Sequence, residues 1–242
     1  MCHLKRANYK MKSNSENKII HVTEEFETLK LILSSNSLKL SFSIEDIYFN
    51  NKVVSKAAHP MISFSEYNLS TIDNERITYG KYGLGFSKEW AKTNNVGPVL
   101  YVGSTSVAAK GMKELLIARR KTNSEKLPGK IRLAIMEVKT FMKNEKGYNS
   151  KLENENFDFK AENEWRYVPR KPDIDNYLIS QNQRTYLKNR YKHNKMLEKY
   201  PLKFKSEAIQ VVFVSNQSEK YELIKTFGLA NGLIKISNWR IK

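Results

Sequence analysis

Tyr79-Gly80-Lys81-Tyr82-Gly83-Leu84-Gly85-Phe86, followed at once by Ser87-Lys88-Glu89-Trp90-Ala91, carries the decisive pattern. Glycines alternate with larger residues, which suits a strand that another backbone approaches closely. Ser87 then fits the N-cap of a short helix over 88–91, because its hydroxyl can accept from a free first-turn N–H. A strand that hands over directly to a helix, with further strands on either side, points to a mixed fold rather than an all-β or all-α one.

Towards the C-terminus, Pro98-Val99-Leu100-Tyr101-Val102 reads as a strand, and residues 107–121 suit a helix carrying Met112, Leu115 and Leu116. Ile131 to Val138 reads as a helix or a strand, and leans towards a strand. Residues 143–156 read as loop, and 157–168 as a strand or strand pair. Residues 182–200 read as one basic helix. Ile209-Gln210-Val211-Val212-Phe213-Val214 is a buried strand, 217–230 a helix, and Leu233 to Ile236 a last strand. Towards the N-terminus, Pro60 to Ser65 is a strand after a turn, 68–78 a polar stretch with room for a short helix, and 38–58 has no clear period. Phe26, Leu29, Ile32 and Leu33 recur at helical spacing behind Thr23 as N-cap, and Ile19 to Thr23 is a short strand. Residues 1–17 read as a flexible basic arm, and 18–242 as one domain. Strands and helices mix without strict βαβ alternation. The expected fold is therefore α+β, with a mostly antiparallel central sheet and flanking helices.

The 242 residues carry 42 Lys and Arg against 25 Asp and Glu, a net charge of +17. Such an excess favours a polyanionic partner, nucleic acid first among them. The lone cysteine, Cys2, excludes an intramolecular disulfide framework and a Cys-rich zinc site. No apolar run is long enough to cross a membrane, and the start lacks a secretory h-region, so the expected compartment is cytoplasmic.

Phosphate-cradling glycine motifs, paired metal-spaced histidines and Ser-centred nucleophile elbows are all absent. Three features remain. His21 closes a strand and could donate into a cleft, or simply satisfy a backbone carbonyl. Glu162 and Glu164 stand two apart, which on a strand puts both carboxylates on one face. They would repel unless a cation joins them, whether a developing oxocarbenium ion or Arg166 on the same face. Third, Arg184, Lys188, Lys192, Lys195 and Lys199 repeat at helical spacing with tyrosines nearby. Between 184 and 205 eight basic residues face one acid, Glu198. Such a stripe can neutralise phosphates while tyrosines stack on bases, or it can be a solvated face.

The block Pro60 to Ser70, the block Tyr79 to Ala91, Pro98 to Tyr101, His21-Val22-Thr23 and Glu164-Trp165-Arg166-Tyr167-Val168-Pro169 together resemble the AbiGi family over roughly 19–214. The resemblance implies the component labelled antitoxin in a bacterial abortive-infection system, with a cognate toxin or phage protein as partner. A more distant likeness runs to DarT-like ADP-ribosyltransferases, through a His-x-Thr strand, a helix, a Ser/Phe strand, a Tyr strand and a late Glu strand. It implies an ADP-ribosyltransferase-like fold with NAD as cofactor, held by His21, Thr23 and Ser63. Tyr79 or Tyr82 would pack on nicotinamide, and Glu164 or Glu162 would be the catalytic acid. A non-enzymatic antitoxin or sensor is the alternative. A metal-dependent nuclease with Glu162 and Glu164 as ligands ranks behind both.

Overall fold

Asn50 and Asn51 both adopt positive φ, 47° and 57°, and between them turn the chain through a two-residue hairpin. Asparagine tolerates that region, and such turns match the twist of the strands they join. The hairpin explains the stretch that had no clear sequence period. The structure, a computed structural model, describes residues 16–149 and 151–241, so the proposed basic arm lies largely outside the described residues.

In chain order the strands are β1 (Asn17–Thr23), β2 (Ser37–Leu38), β3 (Ser41–Phe49), β4 (Lys52–Asn68), β5 (Arg76–Ile77), β6 (Tyr82–Phe86), β7 (Val96–Pro98), β8 (Leu100–Val102) and β9 (Met142–Asn144). They continue with β10 (Lys146–Asn149), β11 (Asn154–Asp158), β12 (Glu164–Tyr167), β13 (Gln181–Asn182), β14 (Leu202–Lys203), β15 (Ile209–Val214), β16 (Ile234–Ile236) and β17 (Arg240–Ile241). Seven α-helices occur among the described residues: α1 (Phe26–Ser35), α2 (Lys88–Thr93), α3 (Val107–Arg120), α4 (Gly129–Phe141), α5 (Gln183–Lys188), α6 (Arg190–Leu197) and α7 (Gln217–Phe227). The main open sheet runs β16-β15-β6-β1-β4-β12-β7, with β3 and β13 also paired to β4. Within it only β15 and β16 pair in parallel. The fold is thus mixed α and β around a mostly antiparallel sheet, as expected.

β4 is the spine. Its residues 52–61 pair with β3, while 62–65 pair with β12 and 65–68 with β1. α1 lays Leu29, Ile32 and Leu33 into the main core. The glycines of β6 do what their alternation implies: a Cβ on Gly85 would stand 2.5 Å from Val211 Cγ1 of neighbouring β15. Ser87 caps α2, its Oγ accepting from the Trp90 N–H at 3.0 Å.

Four expectations need correction. Ile131 to Val138 belongs to a helix, α4, which buries Ile135 and Met136 and leaves Ile131 and Val138 exposed. Branched residues suggested a strand, but a one-sided apolar face over 13 residues favours a helix. Residues 143–156, read as loop, contain β10 and parts of β9 and β11. Thr23 ends β1, and Glu25 takes the N-cap position of α1. The basic helix is two helices, broken at Asn189 where φ is −131°.

Candidate functional site

His21 sits in β1, Ser63 in β4 and Glu164 at the start of β12, three adjacent strands of the sheet. Together with Tyr79 and Glu162 they line a cleft of about 750 Å³. Thr23 and Tyr82 face each other across β1 and β6 and lie outside that lining. The Tyr82 hydroxyl is turned to α7, donating to Glu219 Oε1 at 2.9 Å. Of the two candidate tyrosines, then, Tyr79 is the one in the cleft.

The two glutamates do not share a strand face. Glu162 closes a 3-10 turn over 160–162, and Asn163, at φ 43°, reverses the chain before β12 begins. Both carboxylates nevertheless meet at Lys143 of β9. Lys143 Nζ donates to Glu164 Oε2 at 2.7 Å and to Glu162 Oε2 at 3.2 Å. Arg166, wholly buried, donates through Nε to Glu164 Oε1 at 2.8 Å and through Nη2 to Glu45 Oε1 at 2.6 Å. A second Nη2 bond reaches Glu164 Oε2 at 3.1 Å, and Ser63 Oγ donates to Glu164 Oε1 at 2.9 Å. The Glu164 carboxylate therefore receives four donors, which fills its capacity of about four lone-pair sites. Glu162 differs: its Oε1 is buried with no hydrogen-bond partner among the described residues.

Electrostatics follows from this wiring. Burial alone would raise the Glu164 carboxyl, but the charges of Arg166 and Lys143 outweigh it and hold it down at about 2. Burial dominates at Glu45, whose carboxyl is raised despite Arg166. Three carboxylates thus share two cations. His21 Nδ1 lies 2.9 Å from the Ser63 carbonyl oxygen, which accepts if that nitrogen carries the proton. Burial lowers the ring below the usual histidine value, against the opposing effect of that bond. His21 is accordingly neutral at pH 7, and its Nε2 is the nitrogen left for the cleft. Tyr79 is raised above the ordinary phenol, by burial first and by the charge of Glu162 next.

Lys39, Lys56, Lys146, Lys151 and Arg190 surround the opening. Three of them have acidic partners: Lys39 reaches Glu198 at 3.4 Å, Lys56 reaches Asp46 at 3.5 Å, and Lys151 pairs with Glu24. Sequence reasoning missed Lys143 because its neighbourhood read as loop, and it missed Glu45 because 38–58 had no period. A lysine and an arginine must sit near a buried Glu pair, but nothing in the spacing identifies which lysine.

The stripe residues lie on separate pieces. Arg184 and Lys188 are on α5, Lys192 and Lys195 on α6, and Lys199 follows the end of α6. Lys195 pairs with Glu198 at 2.8 Å and Lys199 with Asp175 at 3.1 Å. Arg184, Lys188 and Lys192 carry no ion pair among the described residues, and Tyr191 is exposed. No described helix is long and apolar enough to cross a membrane.

No curated protein and no solved structure matches this chain. A family model does match, described as "Putative abortive phage resistance protein AbiGi, antitoxin", over residues 43–215. That span contains β4, the buried Lys143–Glu164–Arg166 cluster and both basic helices, and it covers well over half of the sequence. The chain belongs to the AbiGi family of abortive phage resistance proteins.

Proposed function

We propose that this protein acts in the bacterial cytoplasm as the antitoxin-type member of an abortive-infection pair, and that its cleft binds a phosphate-bearing nucleotide, with NAD as the first candidate. One observation carries the reading: His21, Ser63, Tyr79, Glu162 and Glu164, taken from four separated points of the sequence, converge on one cleft lined also by cations. The distant likeness to ADP-ribosyltransferases fits this convergence. The side chains match the parts of such a ligand. Neutral His21 can accept from a ribose hydroxyl, Tyr79 offers an aromatic face, and Lys146 and Arg190, which carry no ion pair among the described residues, suit phosphates.

Bound NAD would supply a ribose activated for transfer by its nicotinamide leaving group. The residues favour holding over transferring. Glu164 is committed to four donors and works as the post that positions Ser63, Lys143 and Arg166. A second reading, ADP-ribosyl transfer to nucleic acid or protein, rests on Glu162, whose free oxygen could stabilise positive charge developing on a ribose.

Calorimetric titration with NAD tests the first reading. Wild type should bind, and His21→Ala should bind roughly tenfold more weakly or worse, the worth of a hydrogen bond in a buried site. No heat at millimolar NAD ends the cleft proposal. Release of nicotinamide decides the second reading: turnover by wild type that vanishes in Glu162→Gln establishes transfer, and no turnover leaves a binding protein.

A further inference from the structure

Away from the cleft, the helical hairpin of α3 and α4 holds four cations that form no ion pair among the described residues. Arg119 and Arg120 occupy the last turn of α3. Arg132 and Lys139 lie seven residues apart on α4, two turns along one face. Lys139 is only 4% exposed, yet its ammonium has no hydrogen bond or ion pair among the described residues. The Nε atoms of Arg119 and Arg132 are buried and equally without partners. Arg120 gives one Nη2 hydrogen to the Val54 carbonyl at 3.1 Å. The acids whose field reaches Lys139 are Asp46 and Glu45; Glu45 is paired with Arg166, while Asp46 meets Lys56 only through Oδ2 at 3.5 Å and keeps a buried Oδ1 without a partner among the described residues.

The four cations feel one another. Burial lowers Lys139, and the charges of Arg119 and Arg120 lower it further, to about 8. Burial lowers Arg119 too, with Arg132 and Arg120 adding to it. From β4, buried His59 is also depressed, by burial and then by Lys139. Helix dipoles account for part of the arrangement, since cations are favoured at the C-terminal end of α3. They do not account for Arg132. It lies near the positive end of α4, which opens at Pro128 with no side-chain cap and no acid in its first turn.

Arg120 is exposed and Arg119 and Arg132 are half-buried, but the Nε donors of Arg119 and Arg132 are shut off from solvent, and a buried cationic donor costs free energy unless an anion compensates it. Guanidinium forks match the oxygens of phosphate or carboxylate in pairs. A single carboxylate would offset one of the four charges, whereas a phosphate brings more charge and more acceptor oxygens. We propose that the α3–α4 hairpin carries a phosphate-binding site formed by Arg119, Arg120, Arg132 and Lys139. The same group would take a free nucleotide's phosphate or a nucleic-acid backbone phosphate.

The test begins on the unaltered protein. Phenylglyoxal modification of Arg119 and Arg132, read by mass spectrometry, should slow in the presence of pyrophosphate. Unchanged modification rates at both arginines overturn the proposal. Lys139→Met and Arg132→Gln then separate binding from structure. Removing a cation that has no ion pair should leave the free protein as stable or more stable, while pyrophosphate binds roughly tenfold more weakly. A variant that unfolds more easily and keeps full pyrophosphate affinity shows a structural role and sinks the site. Two further probes identify the source. Protection by a single-stranded RNA oligomer at lower concentration than by ADP indicates backbone phosphate, and the reverse order indicates a free nucleotide. Protection by polyglutamate but not by pyrophosphate or RNA would mean an acidic protein surface, and the phosphate assignment would be wrong.

Discussion

Arg166 decides what the glutamate pair can do. It is wholly buried and binds Glu164 and Glu45 at once. Replacing it with Met removes the partner of the buried Glu164 and the half-buried Glu45 carboxylates, so the loss should be about 3–5 kcal/mol, read as a fall in the urea midpoint. Glu164→Gln should show a different signature. The Glu164 carboxyl is depressed from 4.5 to about 2 in the folded protein. Its contribution is therefore complete above the unfolded value and drains away as pH falls from there towards 2. Glu45 works the other way: its raised carboxyl favours the fold at low pH and loses that contribution as pH rises through its folded value. Wild type and Glu164→Gln should consequently differ most at neutral pH and converge only as pH falls to about 2. A constant gap across that range would mean Glu164 is not held ionised by Arg166 and Lys143. The sequence did show Arg166 as a neutralising neighbour of Glu164. It did not show that the pair is buried, or that Lys143 completes it, because burial depends on β9 docking from a distant segment.

At the scale of elements, one substitution has three outcomes according to where its glycine lies. Gly111 is inside α3 with open space around it, so Gly111→Ala should stabilise by about 0.5–1 kcal/mol. Gly85 in β6 faces Val211 across the sheet, and Gly85→Ala should cost about 1–3 kcal/mol as that side chain shifts. Gly80 has φ 125°, and its Cβ would collide with the Thr23 carbonyl. Backbone cannot step aside as a side chain can, so Gly80→Ala should be the worst of the three. Guanidinium midpoints rank them, and a Gly80→Ala variant as stable as Gly85→Ala would refute the close approach of β1. Gly80 and Gly85 were legible in the sequence because their alternation with larger residues has a local cause. β1, β15, α1 and α7 were legible for the same reason: each carries its own period or branched core run. α4 was misread because Ile131, Ile135 and Val138 have the branching of a strand, and only packing against the core selects the helix. The two-residue turn at Asn50 and Asn51 sat in plain view between unperiodic segments, and its hairpin went unread because β3 carries polar residues on both faces.

For the molecule as a whole, a charge of +17 raises the question of which cations are free to meet a polyanion. Periodicity alone made Arg184, Lys188, Lys192, Lys195 and Lys199 equivalent. The fold makes them unequal. Lys195 and Lys199 already have carboxylate partners, while Lys188 and Lys192 stand on separate helices without any among the described residues. A lysine that must surrender an ion pair releases little net charge to a phosphate, whereas a free one displaces a counterion outright. If this face contacts nucleic acid, Lys188→Gln with Lys192→Gln should lower the slope of log affinity against log salt by roughly 1–2 for a single-stranded oligomer. Lys195→Gln with Lys199→Gln should change it by much less. Fluorescence anisotropy of a labelled oligomer over a salt series distinguishes the pairs. Equal losses would mean that the ion pairs yield freely, and identical slopes in all variants would remove this face from the interface and leave the α3–α4 hairpin to carry it.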